Sequence, residues 1–181
     1  MSQNSLKNQE HWFQDSVSSH EGRRLQKRER ETERQIEKVM PEKNLETLLA
    51  NINPELSPTE YLFCALPKGD KRALDYALNP DSDLEPIATF REKEGLTLVV
   101  EAARATAAGL SGNGPWSLIT CTINSDLNAV GFLAAMASAL AERGISVNAF
   151  SAYYHDHLFV PGDRAQEALA ILKGDFEESG S

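Results

Sequence analysis

The second half of this 181-residue chain alternates β-type segments with amphipathic helical segments, and this order restricts the possible folds. β-branched and aromatic residues favour extended backbone, whereas apolar residues at helical spacing indicate a helix with one buried face. The order strand, helix, strand, strand, helix predicts a ferredoxin-like α+β unit, with helices packed on one face of an antiparallel sheet. The predicted strands are 116–123, 145–154 and 157–161, and the predicted helices are 127–143, followed by Gly144 as a left-handed cap, and 162–174.

The first half shows a weaker version of the same order. Two such units suggest a pseudo-repeat, although the halves share no obvious sequence identity. The predicted division is therefore a charged tail at 1–43, a degenerate first unit at 44–112, a second unit at 113–173 and a polar tail at 174–181. The first unit is predicted to contain a helix at 44–52 capped by Asn44, a strand at 60–67, a helical insertion at 71–78, a short helix or turn at 84–95, a strand at 96–100, a helix at 101–110 and a flexible connector at 110–114.

Residues 1–43 differ in kind from the rest of the chain. They are dense in both signs of charge, and some opposite charges are three or four residues apart, so the segment can form a solvated helix but cannot bury a core. Met40 is followed directly by the globular pattern. Two hypotheses stay open: residues 1–39 are a functional tail, or they lie upstream of a true translation start at Met40.

Charge and cysteine content exclude several classes of function. The formal charge is −9, divided into +1 for residues 1–43 and −10 for the remainder. So acidic a body should repel phosphate backbones, which argues against nucleic-acid binding. Cys64 and Cys121 each lie in an apolar run and predict buried, reduced thiols. No apolar stretch approaches the roughly 20 residues that a membrane span needs, so we expect a cytoplasmic protein that does not enter a membrane.

Two of the four histidines lie in "SAYYHDHLFVP", residues 151–161. Strands before and after "HD" predict a hairpin, with Asp156 as the turn residue because its side chain can bond nearby backbone N–H groups. His155 and His157 would share one side of the chain, but a metal site needs at least three protein ligands. We therefore predict a structural hairpin with a polar tip, no metal, no cofactor and no catalytic residue.

The segment 124–161 ("NSDLNAVGFLAAMASALAERGISVNAFSAYYHDHLFVP") resembles the ACT domain, a small regulatory module that binds amino acids. "ATFREKEGLTLVV" together with "YYHDHLFVP" is similar, more narrowly, to a bacterial family of small paired-ACT proteins with no assigned reaction. The resemblance covers residues 44–173 and implies sensing of a small metabolite, typically an amino acid. The sequence departs from the family pattern in that no strand is predicted after its last helix. The first half or a second chain could complete that sheet.

The resemblance and the physics of helix termini together place a ligand site at the strand–loop–helix junction. The start of a helix supplies unpaired N–H groups for a carboxylate, and Asp126 could receive an ammonium, although Asp126 or Ser125 could also be the helix cap. Gly131 is predicted inside the helix, where it serves either close packing or the approach of a ligand. The candidate ligand-binding residues are Asn124, Ser125, Asp126, Leu127, Asn128, Ala129, Val130, Gly131, His155 and Asp156.

Three functions follow from these observations. The leading hypothesis is a non-enzymatic protein that binds an amino acid and forms a homodimer. The second is an interaction module that dimerises through its sheets without a ligand. The third is a small metal-dependent enzyme that uses "HDH".

Overall fold

The computed structural model describes residues 41–79 and 82–177. The predictions for residues 1–40, a charged tail or a start at Met40, lie outside the described residues. The helices are α1 (Leu45–Ala50), α2 (Arg72–Leu78), α3 (Ala102–Ala107), α4 (Phe132–Glu142) and α5 (Ala165–Glu177), the last preceded by a 3-10 turn at Gly162–Arg164. The strands are β1 (Pro54–Pro67), β2 (Ala88–Arg91), β3 (Gly95–Glu101), β4 (Gly112–Cys121), β5 (Asn148–Ser151) and β6 (Asp156–Pro161).

Most predicted helices form where local sequence favours them. The N-cap of α1 is Asn44, whose Oδ1 accepts the backbone N–H of Thr47 at 2.9 Å, as predicted. Gly144 follows α4 with a φ of +67°, also as predicted. Helix α5 continues to Glu177, four residues into the segment predicted to be a polar tail.

The strands differ more from the prediction. The segment 84–95 forms no helix, and its residues Ala88–Arg91, which the prediction did not make a strand, pair with β3 as an edge strand. Strand β4 begins at Gly112, inside the predicted connector, and β5 spans only Asn148–Ser151. Strand β1 begins at Pro54 and tolerates Pro58 because its register with β4 shifts between Leu56 and Glu60.

All six strands form one sheet in the order β2-β3-β1-β4-β6-β5. Strands β1 and β4 run antiparallel at its centre, so the first strand of each unit also occupies the fourth-strand position of the other unit. The first half of the chain therefore supplies the strand that the second unit lacks. The sequence left two possibilities for completing this sheet, the first half of the chain or a second chain, and the structure shows the first.

The helices cover one face of the sheet and form two apolar clusters. The cluster of the second unit contains Leu48, Met136 and Leu158, and partly buried Leu56 of β1 packs against it. The cluster of the first unit includes Cys64, Leu66 and Leu98. Both cysteines are buried and unpaired, as predicted. Among the helices described, none is long and apolar enough to cross a membrane.

The opposite face of the sheet carries an aromatic cluster. Phe63 of β1 and Phe150 of β5 have ring centroids 6.2 Å apart, although three strand spacings separate their strands. Three spacings amount to roughly 14 Å in a flat sheet. The sheet must therefore curl, and the curl buries Phe159, which contacts both rings edge to face.

Candidate ligand site

The predicted site lies where the loop 122–131 leaves β4 and approaches the turn 152–155 between β5 and β6. Ser125 donates its hydroxyl to Asp156 Oδ2 at 2.9 Å, and this bond joins the loop to the hairpin. The short segment before α1 also pairs with the loop. The N–H of Glu42 donates to the carbonyl of Asn124 at 2.9 Å, and the N–H of Asp126 donates to the carbonyl of Glu42 at 2.8 Å.

Asp156 is not the turn residue that the sequence predicts. It is the first residue of β6, it is only 5% exposed, and Ser151 of the neighbouring strand donates a short hydrogen bond to its Oδ1. A carboxylate that accepts two hydroxyl protons satisfies part of the hydrogen bonding it loses on burial. Its charge also acts on Cys121: burial first and the Asp156 carboxylate second raise the pKa of that thiol to about 12, so the thiol stays protonated.

Asp126 and Ser125 do not cap α4, contrary to one of the two interpretations of the sequence. Asp126 Oδ1 accepts the backbone N–H of Asn128 at 2.8 Å and its Nδ2 at 2.9 Å, which makes a local turn. Its Oδ2 lies 3.3 Å from the ammonium of Lys43. These bonds, led by those from Asn128, lower the pKa of the Asp126 carboxyl, so it is a carboxylate near neutral pH.

Helix α4 starts at Phe132 rather than at Leu127, so Gly131 does not lie inside it. Gly131 is the N-cap residue, with a left-handed φ of +92° and no side chain to accept a hydrogen bond. The first intrahelical bond is donated by Ala135 to the carbonyl of Gly131. The first N–H groups of the helix have no intrahelical acceptor, Gly131 supplies no side chain to cap them, and they point out of the helix end.

Four large apolar side chains are exposed at this end of the molecule. They belong to the loop and the turn, and they include Val130 at 85% exposure and Tyr153 at 72%. The rings of Tyr153 and Tyr154 contact each other, with centroids 4.9 Å apart. We call this set the loop-tip patch; it consists of Leu127, Val130, Tyr153 and Tyr154.

The two histidines have different surroundings. His157 Nδ1 lies 3.1 Å from Thr120 Oγ1, and the pKa of the ring is lowered, first by burial and then by His155, against the effect of Asp156. The Nδ1 of His155 is buried and has no hydrogen-bond partner in the described part of the chain. Among residues 41–79 and 82–177, no group of three or more His, Cys, Asp or Glu side chains could hold a metal ion.

A cleft of about 420 Å³ lies at the corresponding end of the first unit, where the sequence predicts no site. It opens between the turn that leads from β1 into α2 and the hairpin between β2 and β3. These are the counterparts of the loop 122–131 and the turn 152–155. Only the clustering of Lys and Arg in 68–72 and 91–93 indicates it in the sequence. The lining residues are Pro67, Lys68, Gly69, Asp70, Ala73, Arg91, Glu92, Lys93, Gly95 and Leu96.

The shared sheet and its connections define a protein of two ferredoxin-like modules. Two family models, both described as an ACT domain, match residues 40–117 and 113–174. The chain belongs to the ACT-domain family, and ACT domains are typically regulatory domains that bind amino acids. It matches no curated protein.

The solved structures agree with this assignment. A Vibrio cholerae protein of unknown function, described as a possible transport protein, is 49% identical, with a TM-score of 0.62 over 74% of this chain and 95% of its own. The regulatory subunit of aspartate kinase from Thermus flavus is 13% identical, with a TM-score of 0.54 over 71% of this chain and 99% of its own. A protein from Agrobacterium tumefaciens is 16% identical, with a TM-score of 0.53 over 68% of this chain and 87% of its own. The latter two show the fold alone.

Proposed function

We propose that this protein is a non-catalytic cytoplasmic sensor that binds a free amino acid at the loop end of its second unit. The observation that carries the proposal is the uncapped start of α4, which follows Asp126 in the same loop. The N–H groups at a helix start suit the carboxylate of an amino acid, and an ionised side chain suits its ammonium. The proposed contacts are residues 124–131 together with His155 and Asp156.

The ammonium site is already occupied by a replaceable partner. Lys43 is 66% exposed, so its ammonium can leave Asp126 and return to water at little cost. The ammonium of a ligand would take the same position while the ligand's carboxylate reaches the start of α4. Family membership supports this use of the loop, and the regulatory subunits of aspartate kinase share the fold.

The loop-tip patch favours a second function in addition to the first. Several apolar side chains exposed to this degree on neighbouring segments mark interaction surfaces in many proteins. We propose that a second copy of the chain covers the patch, so that the amino acid binds at a homodimer interface. Sedimentation of the purified protein over a range of concentrations tests this. Val130→Asp should weaken the dimer, and Gln166→Asp, an exposed position on α5, should leave it intact.

Thermal unfolding with each of the twenty amino acids tests the sensor proposal. A ligand present at about one hundred times its Kd adds about 2.7 kcal/mol to the folded state, and this should raise Tm by roughly 5–10 °C. Asp126→Asn keeps an acceptor for Asn128 but removes the charge, so it should weaken binding about tenfold or more. Asp163→Asn makes the same charge change at an exposed position in the 3-10 turn and should leave binding unchanged.

The outcomes separate the hypotheses. If an amino acid binds the wild type and Asp126→Asn with equal affinity, the binding site does not lie in this loop. Cooperative unfolding with no shift from any amino acid would reject the sensor and leave the dimeric interaction module.

A further inference from the structure

The cleft of the first unit has walls that its own backbone fixes in place. The N–H of Lys68 donates to the carbonyl of Glu94 at 2.8 Å, which ties the β1–α2 turn to the β2–β3 hairpin. Gly95 lets the two strands meet, because a Cβ there would lie 2.0 Å from the carbonyl oxygen of Leu66. Gly69, in the turn, has a φ of +93°. Backbone contacts and glycine conformation therefore fix the positions of the cleft walls.

The carboxylates that line the cleft are engaged by neighbours. Asp70 accepts two bonds from the guanidinium of Arg72, at 3.1 and 2.8 Å, and one from its backbone N–H at 2.9 Å. These bonds lower the pKa of the Asp70 carboxyl to about 2. Glu92 accepts a short hydrogen bond from Thr97. Among the described residues, neither carboxylate forms an ion pair with Lys68 or Lys93.

Three cationic residues line the same space. Within the described residues, no carboxylate lies within ion-pair distance of Lys68, Arg91 or Lys93. Their concentration is unusual for this chain, since residues 44–181 hold nine Lys and Arg against nineteen Asp and Glu. Five of those nine lie in 68–72 and 91–93, together with only two of the nineteen acidic residues, Asp70 and Glu92. Unpaired like charges repel each other unless an anion lies between them, so the cluster favours binding of an anion.

We propose that this cleft is a second ligand site, separate from the amino-acid site, and that it binds a small metabolite carrying two negative charges. A volume of about 420 Å³ suits a ligand of metabolite size. Lys68, Arg91 and Lys93 bind the charged groups, and Ala73 and Leu96 contact the carbon skeleton. The shared chemistry is a dianion, which a dicarboxylate or a phosphate ester can supply. The two sites lie at opposite ends of the sheet, because each follows the end of one of the two antiparallel central strands.

Calorimetric titration of the full chain with succinate and with inorganic phosphate tests this proposal at low ionic strength. Neither probe has an ammonium group, so neither satisfies the proposed site at Asp126. We expect saturable binding of at least one probe, weakened as salt rises from about 20 to about 200 mM. The double substitution Lys68→Ala and Lys93→Ala should lower that affinity roughly tenfold or more. Lys173→Ala, an exposed position on α5, is the matched control and should change it less than about twofold.

Each outcome decides one point. Binding of succinate identifies a dicarboxylate site, and binding of phosphate identifies a phosphate-ester site. No saturable binding of either probe, or equal affinity in the double variant and the wild type, would overturn the proposal. A failure here leaves the amino-acid screen unaffected, since that screen depends on Asp126.

Discussion

At the scale of the residue, Asp156 shows why a polar cluster in a sequence can be misjudged. Between two strand-like segments, an aspartate is most often a turn residue. Here the turn closes one residue earlier, and the carboxylate goes inward because Ser125 and Ser151 donate hydroxyl protons to it. Those donors lie 31 and 5 residues away, so only the folded chain brings the three together. The sequence predicted the hairpin but not this hydrogen-bonded cluster.

The Asp156 cluster predicts a measurable loss of stability. Asp156→Ala leaves two hydroxyl groups without their buried acceptor, and we expect the free energy of unfolding to fall by about 1–3 kcal/mol. Asp163→Ala, at an exposed position, should change it by less than about 0.5 kcal/mol. Urea unfolding at neutral pH measures both. Equal values for the two variants would show that the cluster contributes nothing to stability.

His157 predicts that stability depends on pH in the mildly acidic range. Its pKa in the folded protein is lowered from 6.5, first by burial and then by the charge of His155, with Asp156 acting in the opposite direction. The unfolded chain therefore binds the proton first, and stability is lost as pH falls below about 6.5 towards the folded pKa. His157→Gln removes the titration and keeps a partner for Thr120. The loss of stability from about pH 7.5 to about pH 5.5 should be smaller in the variant; an equal loss contradicts the assignment to His157.

At the scale of the element, the differences from prediction concern where segments begin. The predicted helix 127–143 included Val130, yet Val130 lies exposed in the loop because Gly131 adopts a left-handed φ and α4 begins only at Phe132. Strand β2 has three exposed residues of four and shows no strand pattern of its own, so only its pairing with β3 reveals it. Helices with caps, such as α1, are predictable because their signals are local. Edge strands are not, since their partner defines them.

Gly95 provides a test of element packing. A methyl group at this position would collide with the backbone of Leu66, so Gly95→Ala must displace β3 from β1. We expect a loss of about 2 kcal/mol or more in the free energy of unfolding. Gly174→Ala makes the same chemical change on α5, where nothing lies within 4 Å, and should stabilise the protein by about 0.5–1 kcal/mol. The opposite order of the two variants in thermal unfolding would contradict the geometry.

At the scale of the whole molecule, the two units share their central strands and form one sheet. Leu56 at one end of β1 packs under the helices of the second unit, while Leu66 near the other end packs under those of the first. The sequence predicted two ferredoxin-like units correctly. It left open how the second unit completes its sheet, because strand pairing between distant segments leaves no local signal.

The shared sheet predicts that neither half folds alone. A fragment covering residues 113–181 lacks β1, so β4 would become an open edge with apolar residues uncovered on both faces. We expect this fragment to lack a cooperative thermal transition and to aggregate, whereas residues 41–181 should unfold in a single transition. Circular dichroism and size-exclusion chromatography compare the two. A fragment that is monomeric and unfolds cooperatively would show that the halves are independent.

The common central strands also constrain how the two halves can diverge in evolution. A substitution in β1 or β4 must suit the helices of both halves at once, whereas one in β2 or β5 concerns a single edge. Ordinary duplicated domains are free to drift apart or to be exchanged between genes. Here the exchange of one half would introduce a central strand whose side chains had not been selected to pack against the other half. Among related chains, we therefore expect fewer accepted substitutions in β1 and β4 than in the edge strands, and inheritance of both halves as a pair.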